Sequence, residues 1–96
     1  MTYLDHYNLS VNGTFRVRLA AAFIKYAKGV VAEDPATPLH AERFLQAAKT
    51  INYPQMWADR LAFAAAVALD VAEPTDAQLD TLTAQFWDVL AIAPQV

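Results

Sequence analysis

The chain has 96 residues, which suffices for one domain with a single modest core. Two glycines, no cysteine and a high alanine content favour helices, and they exclude a disulfide framework and a thiolate metal site. The net charge of −3 argues against a dedicated nucleic-acid binder, because such proteins carry a basic stripe that neutralises phosphates.

A capping pair opens the first predicted helix. The Thr2 hydroxyl and the Asp5 carboxylate can satisfy free amides at a helix start, and the helix continues through about Leu9. Residues 10–13 then break it. We expect the segment 1–13 to be flexible.

A longer second helix is predicted from Thr14, a good N-cap residue, to about Ala32. One side of this helix is apolar, because large apolar residues recur at helical spacing. They are Phe15, Leu19, Phe23, Tyr26 and Val30. The loop over 33–37 follows, since two of its residues precede prolines and that position disfavours helix.

Three further helices are predicted, over residues 38–49, 54–69 and 75–92. Thr37 caps the first of them, and Pro38 suits its first position. Residues 70–74 end the second. Thr75 and Gln78 form a capping box that opens the third, and the tail over 93–96 is expected to be loose.

The charge-free run from Leu61 to Leu69 indicates the centre of the fold, because such a run has to be covered on nearly every side. It is too short for a bilayer, which needs about 20 apolar residues. The apolar start at 1–4 is likewise too short for a signal peptide, so we expect an intracellular protein. The fold class is all-α: a single domain over 1–96, a bundle of four main helices plus a short N-terminal helix, with the run's helix in the middle.

Catalytic and metal-binding chemistry has little support in the sequence, with two histidines and no cysteine. Asp5 and His6 are adjacent, so their side chains point about 100° apart on a helix and do not readily share a metal. His40 and Glu42 match the H-x-E pattern of zinc deaminases, but the two cysteine ligands are missing. We therefore expect no enzyme, no cofactor and no small-molecule substrate.

Basic residues on the second helix are the first group of partner-binding candidates. They are Arg16, Arg18, Lys25 and Lys28. Arg18, Lys25 and Lys28 share one side, which suits a phosphate or an acidic partner, although a solvated polar surface explains them as well. Acids gather on the last helix at Asp76, Asp80 and Asp88. This asymmetry suits head-to-tail contacts between copies.

Aromatic residues are the second group of candidates, because tyrosine and tryptophan are enriched in protein contacts. They are Tyr3, Tyr7, Tyr53, Trp57 and Trp87. The alternative for each is an ordinary core position. Phe86 and Trp87 are neighbours, so one should lie in the core and the other should be partly exposed. With 56% hydrophobic residues in so short a chain, some apolar surface is expected to meet a partner.

Three pieces of the chain recur together in a known group of proteins. The first has Thr-Phe-Arg-Val-Arg-Leu-Ala-Ala-Ala over 14–22, with a Phe-x-x-Arg near the start of a long helix. The second has Thr-Pro-Leu-His-Ala-Glu-Arg over 37–43, a His-Ala-x-Arg helix start. The third has Leu-Thr-Ala-Gln-Phe-Trp-Asp-Val-Leu-Ala over 82–91, a C-terminal helix bearing a tryptophan. In this order they resemble small virion proteins of tailed bacteriophages.

The resemblance implies a non-enzymatic structural protein of the virus particle, present in many copies. Such a protein docks at the head-to-tail connector, the neck or the capsid, and its partners are other virion proteins and copies of itself. It resides in the virion, which is assembled in the host cytoplasm. The residues alone also allow a cytoplasmic adaptor or regulatory module that binds a partner helix.

Overall fold

The computed structural model describes residues 1–33, 45 and 53–92. In that part of the chain every regular element is a helix and there is no strand, which confirms the predicted all-α class there. Its four helices are α1 (Tyr3–Ser10), α2 (Gly13–Glu33), α3 (Tyr53–Leu69) and α4 (Asp76–Ile92). The predicted loop over 33–37, helix over 38–49 and tail over 93–96 lie outside the described residues, except for positions 33 and 45.

Two helix starts are fixed by the predicted capping boxes. In the first, the Asp5 amide donates to the Thr2 hydroxyl at 3.2 Å, and the Thr2 amide donates to the Asp5 carboxylate at 3.0 Å. In the second, the Gln78 amide donates to the Thr75 hydroxyl at 3.2 Å, and the Thr75 amide donates to the Gln78 side chain at 2.8 Å. Each box satisfies two amides that a helix start otherwise leaves unpaired.

The start of α2 differs from the prediction, which placed the N-cap at Thr14. The side-chain oxygen of Asn12 accepts the Phe15 amide at 2.9 Å, and its carbonyl accepts the Arg16 amide at 3.1 Å. Asn12 is therefore the cap, because asparagine caps at least as well as threonine and stands earlier in the chain. As a result, two residues alone separate α1 from α2.

The core lies between α2, α3 and α4. From α2 come Phe15, Leu19, Phe23 and Ala27, and from α4 come Leu79, Leu82, Thr83 and Trp87. The contribution of α3 consists of Ala58, Ala62, Ala65 and Ala66. Alanines on α3 leave room for the large side chains of α2. The predicted apolar side of α2 is confirmed except at Val30, whose side chain lies outside the described residues. Both α2 and α3 contact all three other described helices, so they share the centre.

The expectation that the run from Leu61 to Leu69 is covered on nearly every side is wrong. The side of α3 that bears Ala58, Ala62, Ala65 and Ala66 is buried against the other helices. On the opposite side, Phe63 and Val67 remain 38% and 44% exposed. Within the described residues, no helix has both the length and the apolar character that a bilayer crossing requires.

Candidate functional site

Helix α1 turns its apolar side outward. The exposed fractions are 71% for Tyr3, 62% for Leu4, and 48% for both Tyr7 and Val11. These positions follow the three- and four-residue spacing that normally places side chains in a core. The inward side carries His6, Leu9 and Ser10, of which Leu9 alone packs on the core as a partly buried apolar residue.

Polar contacts hold the end of α1 against α2. The buried Ser10 hydroxyl donates to the Tyr7 carbonyl at 2.7 Å, and the Arg16 guanidinium donates to the Ser10 carbonyl at 2.6 Å. Arg16 also lies 3.6 Å from the Asp59 carboxylate of α3. Arg16 therefore ties three helices together, which gives this partner-binding candidate a role inside the chain.

The start of α1 is attached to the end of α3 through Asp70. The Asp70 carboxylate lies 2.8 Å from Nε2 of His6 and 3.4 Å from the amino group of Met1. The hydrogen bond to His6, followed by the contacts with the amino group, lowers the pKa of Asp70 below its ordinary value. Asp70 has a φ of 50°, a left-handed conformation that aspartate tolerates better than most residues and that ends α3.

We expect acid to weaken the attachment of α1. The pKa of Asp5 is also lowered, first by the Thr2 amide. A carboxyl with a lowered pKa in the folded state stabilises the fold fully above its ordinary value, about 3.9, and loses that contribution as the pH falls through the lowered value. Urea unfolding should therefore show a falling midpoint below about pH 4, and Asp70→Asn should flatten this decline. If the urea midpoint falls with pH in the same way for both proteins, Asp70 is not the cause of the decline.

The outward side of α1 continues onto α3. The Tyr3 ring contacts the Phe63 ring at a centroid distance of 5.4 Å and an angle of 54°. Phe63 and Val67 are one helical turn apart on α3. The Tyr3–Phe63 contact joins the exposed apolar side chains of the two helices, and we call the set the α1–α3 face; it consists of Tyr3, Leu4, Tyr7, Val11, Phe63 and Val67.

The basic candidates on α2 meet the acids of α4 within the chain. Arg18 donates to the Pro74 carbonyl and to the Asp76 carboxylate, both at 2.8 Å. Lys25 lies 2.8 Å from the Asp80 carboxylate. The hydrogen bond from Arg18 lowers the pKa of Asp76, and the hydrogen bond to Asp80 raises the pKa of Lys25. These basic residues of α2 and acidic residues of α4 are therefore paired within one molecule.

The remaining candidates lie in different environments. Lys28 is exposed on α2, and the side chain of Tyr53 lies outside the described part of the chain. Trp57 is partly buried, with the Arg60 guanidinium 5.5 Å from its ring centroid. Tyr3 and Tyr7 are the candidates that the structure brings together on the α1–α3 face.

Trp87 lies in the core, which is the alternative given above for each aromatic candidate. Its side chain is 7% exposed, and its ring lies 5.0 Å from the ring of Tyr26 on α2. The indole therefore packs between α2 and α4. Phe86 is partly buried, as expected for a neighbour of a core residue.

Sequence reasoning missed the aliphatic members of the α1–α3 face and Phe63. Leu4 and Val11 were not considered as contact residues, and Phe63 and Val67 belong to the run that was expected to be covered on nearly every side. A signal was present nevertheless. The other side of α1 offers Leu9 as its large apolar residue, so the stripe through Leu4 and Val11 is much larger than the side that packs inward.

Within 1–33, 45 and 53–92, no three histidine or acidic side chains converge closely enough to hold a metal ion. A cavity of about 410 Å³ between the α1–α2 connection and residues 72–74 is lined in part by Asn12, Arg18 and Glu73. Asn12 caps α2 and Arg18 binds the Pro74 carbonyl, so both have structural roles there.

The geometry defines a small helical protein with an outward apolar face and charges used within the chain. No protein-family model, curated protein or solved structure matches it. The α1–α3 face is therefore the feature from which a function is argued.

Proposed function

We propose that this chain is a non-enzymatic structural protein that works through protein contacts made by the α1–α3 face. The observation that carries the proposal is the orientation of α1, which turns Tyr3, Leu4 and Tyr7 toward solvent. Covering apolar surface is favourable by roughly 25 cal/mol per Å², so a partner that covers these side chains gains free energy. Tyrosines suit such contacts because they combine a large rigid ring with a polar hydroxyl.

We propose the virion of a tailed bacteriophage as the setting, with docking at the head-to-tail connector, the neck or the capsid. The resemblance described above supports it. In this chain the residues of that resemblance hold the scaffold: Phe15 and Trp87 lie in the core, and Arg18 joins α2 to the start of α4. In this proposal, the scaffold is what this chain shares with the virion proteins that it resembles, and its outward residues make the contacts with other virion proteins.

The full bundle is part of the same proposal. The helix over 38–49 is its fourth main helix, and α1 is the short N-terminal one. Leu45 supports this arrangement, since it is helical and packs, partly buried, against the core. The single domain over 1–96 follows from the same reasoning.

A cytoplasmic adaptor that binds a partner helix is the second candidate. It is supported by a groove of about 340 Å³ between α3 and α4, lined by residues that include Ala68, Thr81, Leu82 and Gln85. A groove whose walls combine small apolar side chains with threonine and glutamine suits an amphipathic helix. Such a partner would lie beside the α1–α3 face.

The two settings are distinguished by the location of the protein. Tailed particles are purified from a culture that produces this chain, and its copies per particle are counted by quantitative mass spectrometry. We expect a fixed number of copies greater than one. If the chain stays in the soluble fraction and is absent from washed particles, the virion proposal fails and the adaptor is favoured.

A further inference from the structure

We propose that the α1–α3 face is covered by a second copy of this chain, with two α1 helices packed antiparallel across a two-fold axis. The inference rests on the proposed function, because it names the first partner of the same face. It goes beyond that function in fixing the partner, the symmetry and the residue at the axis.

The exposed area suits a pair of identical faces. Six large side chains on the face are 38–71% exposed, and their exposed apolar area is on the order of 500 Å², the size of the largest patch on a typical monomer. Two copies together bury about 1,000 Å², which is where specific interfaces begin, and the exposed Ala64 and Ala68 extend the surface. The pair is therefore a weak dimer that depends on concentration.

The charge distribution favours a copy over a charged partner. The chain carries a net charge of −3, so two copies repel each other if their acids meet. No residue of the α1–α3 face is charged. The nearby Asp5 is held by the cap of its own helix, and Asp70 is held by His6. The six residues of two such faces therefore meet without bringing acids into contact.

The geometry of α1 sets the symmetry. A closed dimer uses the same patch on both molecules, and the antiparallel arrangement lets the two helix dipoles oppose each other. The stripe runs from Tyr3 to Val11, and Tyr7 stands at its midpoint. The two-fold axis therefore passes beside Tyr7, which faces Tyr7 of the second copy.

Disulfide cross-linking tests this arrangement, because the natural chain has no cysteine and any disulfide must join two engineered copies. The test variant is Tyr7→Cys. The matched control is Val17→Cys, on α2 outside the face, where the side chain is more exposed, at 60%. Under the same mild oxidation, Tyr7→Cys should form covalent dimers at least about tenfold faster, because pairing raises the effective thiol concentration.

A second variant keeps the test independent of the engineered thiol. Adding Leu4→Glu to Tyr7→Cys places like charges in the pair, and the cross-linking rate should fall to that of Val17→Cys. Circular dichroism checks that each variant is folded. Equal rates for Tyr7→Cys and Val17→Cys would overturn the dimer. If Leu4→Glu abolishes the dimer but the variant is still incorporated into particles, the dimer is not needed for the virion role and that role stands. If Tyr7→Cys cross-links rapidly but the chain is absent from particles, the virion role fails and the dimer stands.

Discussion

Replacing Phe23 by alanine is expected to lower the free energy of unfolding by about 3–5 kcal/mol. The Phe23 ring is fully buried, at 0% exposed, between α2 and the alanine side of α3. Alanine leaves a cavity there, because neighbouring alanines have no longer side chain to fill it. Domains are typically stable by about 5–15 kcal/mol, so the loss is a large share of the total. Urea unfolding followed by circular dichroism measures it.

Val17→Ala is the matched control, on the same helix but exposed. It should change the free energy of unfolding by less than about 0.5 kcal/mol. Both substitutions place alanine, a good helix former, in α2. The difference between their losses of unfolding free energy therefore reports burial of the original side chain and not an effect of alanine on the helix. Similar losses for the two variants would mean that Phe23 does not lie in the core described above.

The second large effect is expected at Trp87. Trp87→Ala should also cost about 3–5 kcal/mol, because the indole packs between α2 and α4 and contacts the ring of Tyr26. Trp87→Phe keeps most of the apolar area and should cost clearly less. Thermal and urea unfolding distinguish the variants.

Measurements on Trp87→Ala also distinguish a core residue from a contact residue. A core residue loses stability on truncation, and its variant regains normal self-association under conditions where it is folded. A contact residue keeps its stability and loses association. Full stability of Trp87→Ala together with loss of association would reverse the assignment made from its burial.

Local features of this fold were predictable from the sequence. Both capping boxes involve residues three positions apart, so their chemistry can be recognised without knowledge of the fold. The bounds of α3 and α4 follow from such signals and from Pro54 and Asp70. The start of α2 was missed because two good caps, Asn12 and Thr14, stand close together. Their order of preference depends on how α1 meets α2.

The orientation of α1 was not predictable by the same means. Periodicity shows which residues share a side of a helix, but it does not show whether that side faces the core or the solvent. The answer depends on contacts between residues far apart in the chain, such as His6 with Asp70, which are 64 positions apart. Of the α1–α3 face, the sequence analysis therefore named only Tyr3 and Tyr7.

The division between scaffold and contact surface links the fold to the proposed role. Buried aromatics and alanines hold α2, α3 and α4 together, and the paired charges lie between these helices. The large apolar side chains of α1 contribute little to that core. Since they are exposed in the isolated chain, covering them leaves the scaffold unchanged, which suits a protein that assembles after it has folded.

The most direct measurement is the solution mass of the purified chain, determined by size-exclusion chromatography with light scattering over a wide range of concentrations. The monomer has a mass of 10.6 kDa. We expect the mass of the natural chain to rise toward about twice that value, as a two-fold pair requires, while Leu4→Glu stays at the monomer mass and Val17→Glu behaves like the natural chain. A mass that stays at 10.6 kDa for all three proteins at every concentration would contradict a contact surface on the α1–α3 face that recognises its own copy.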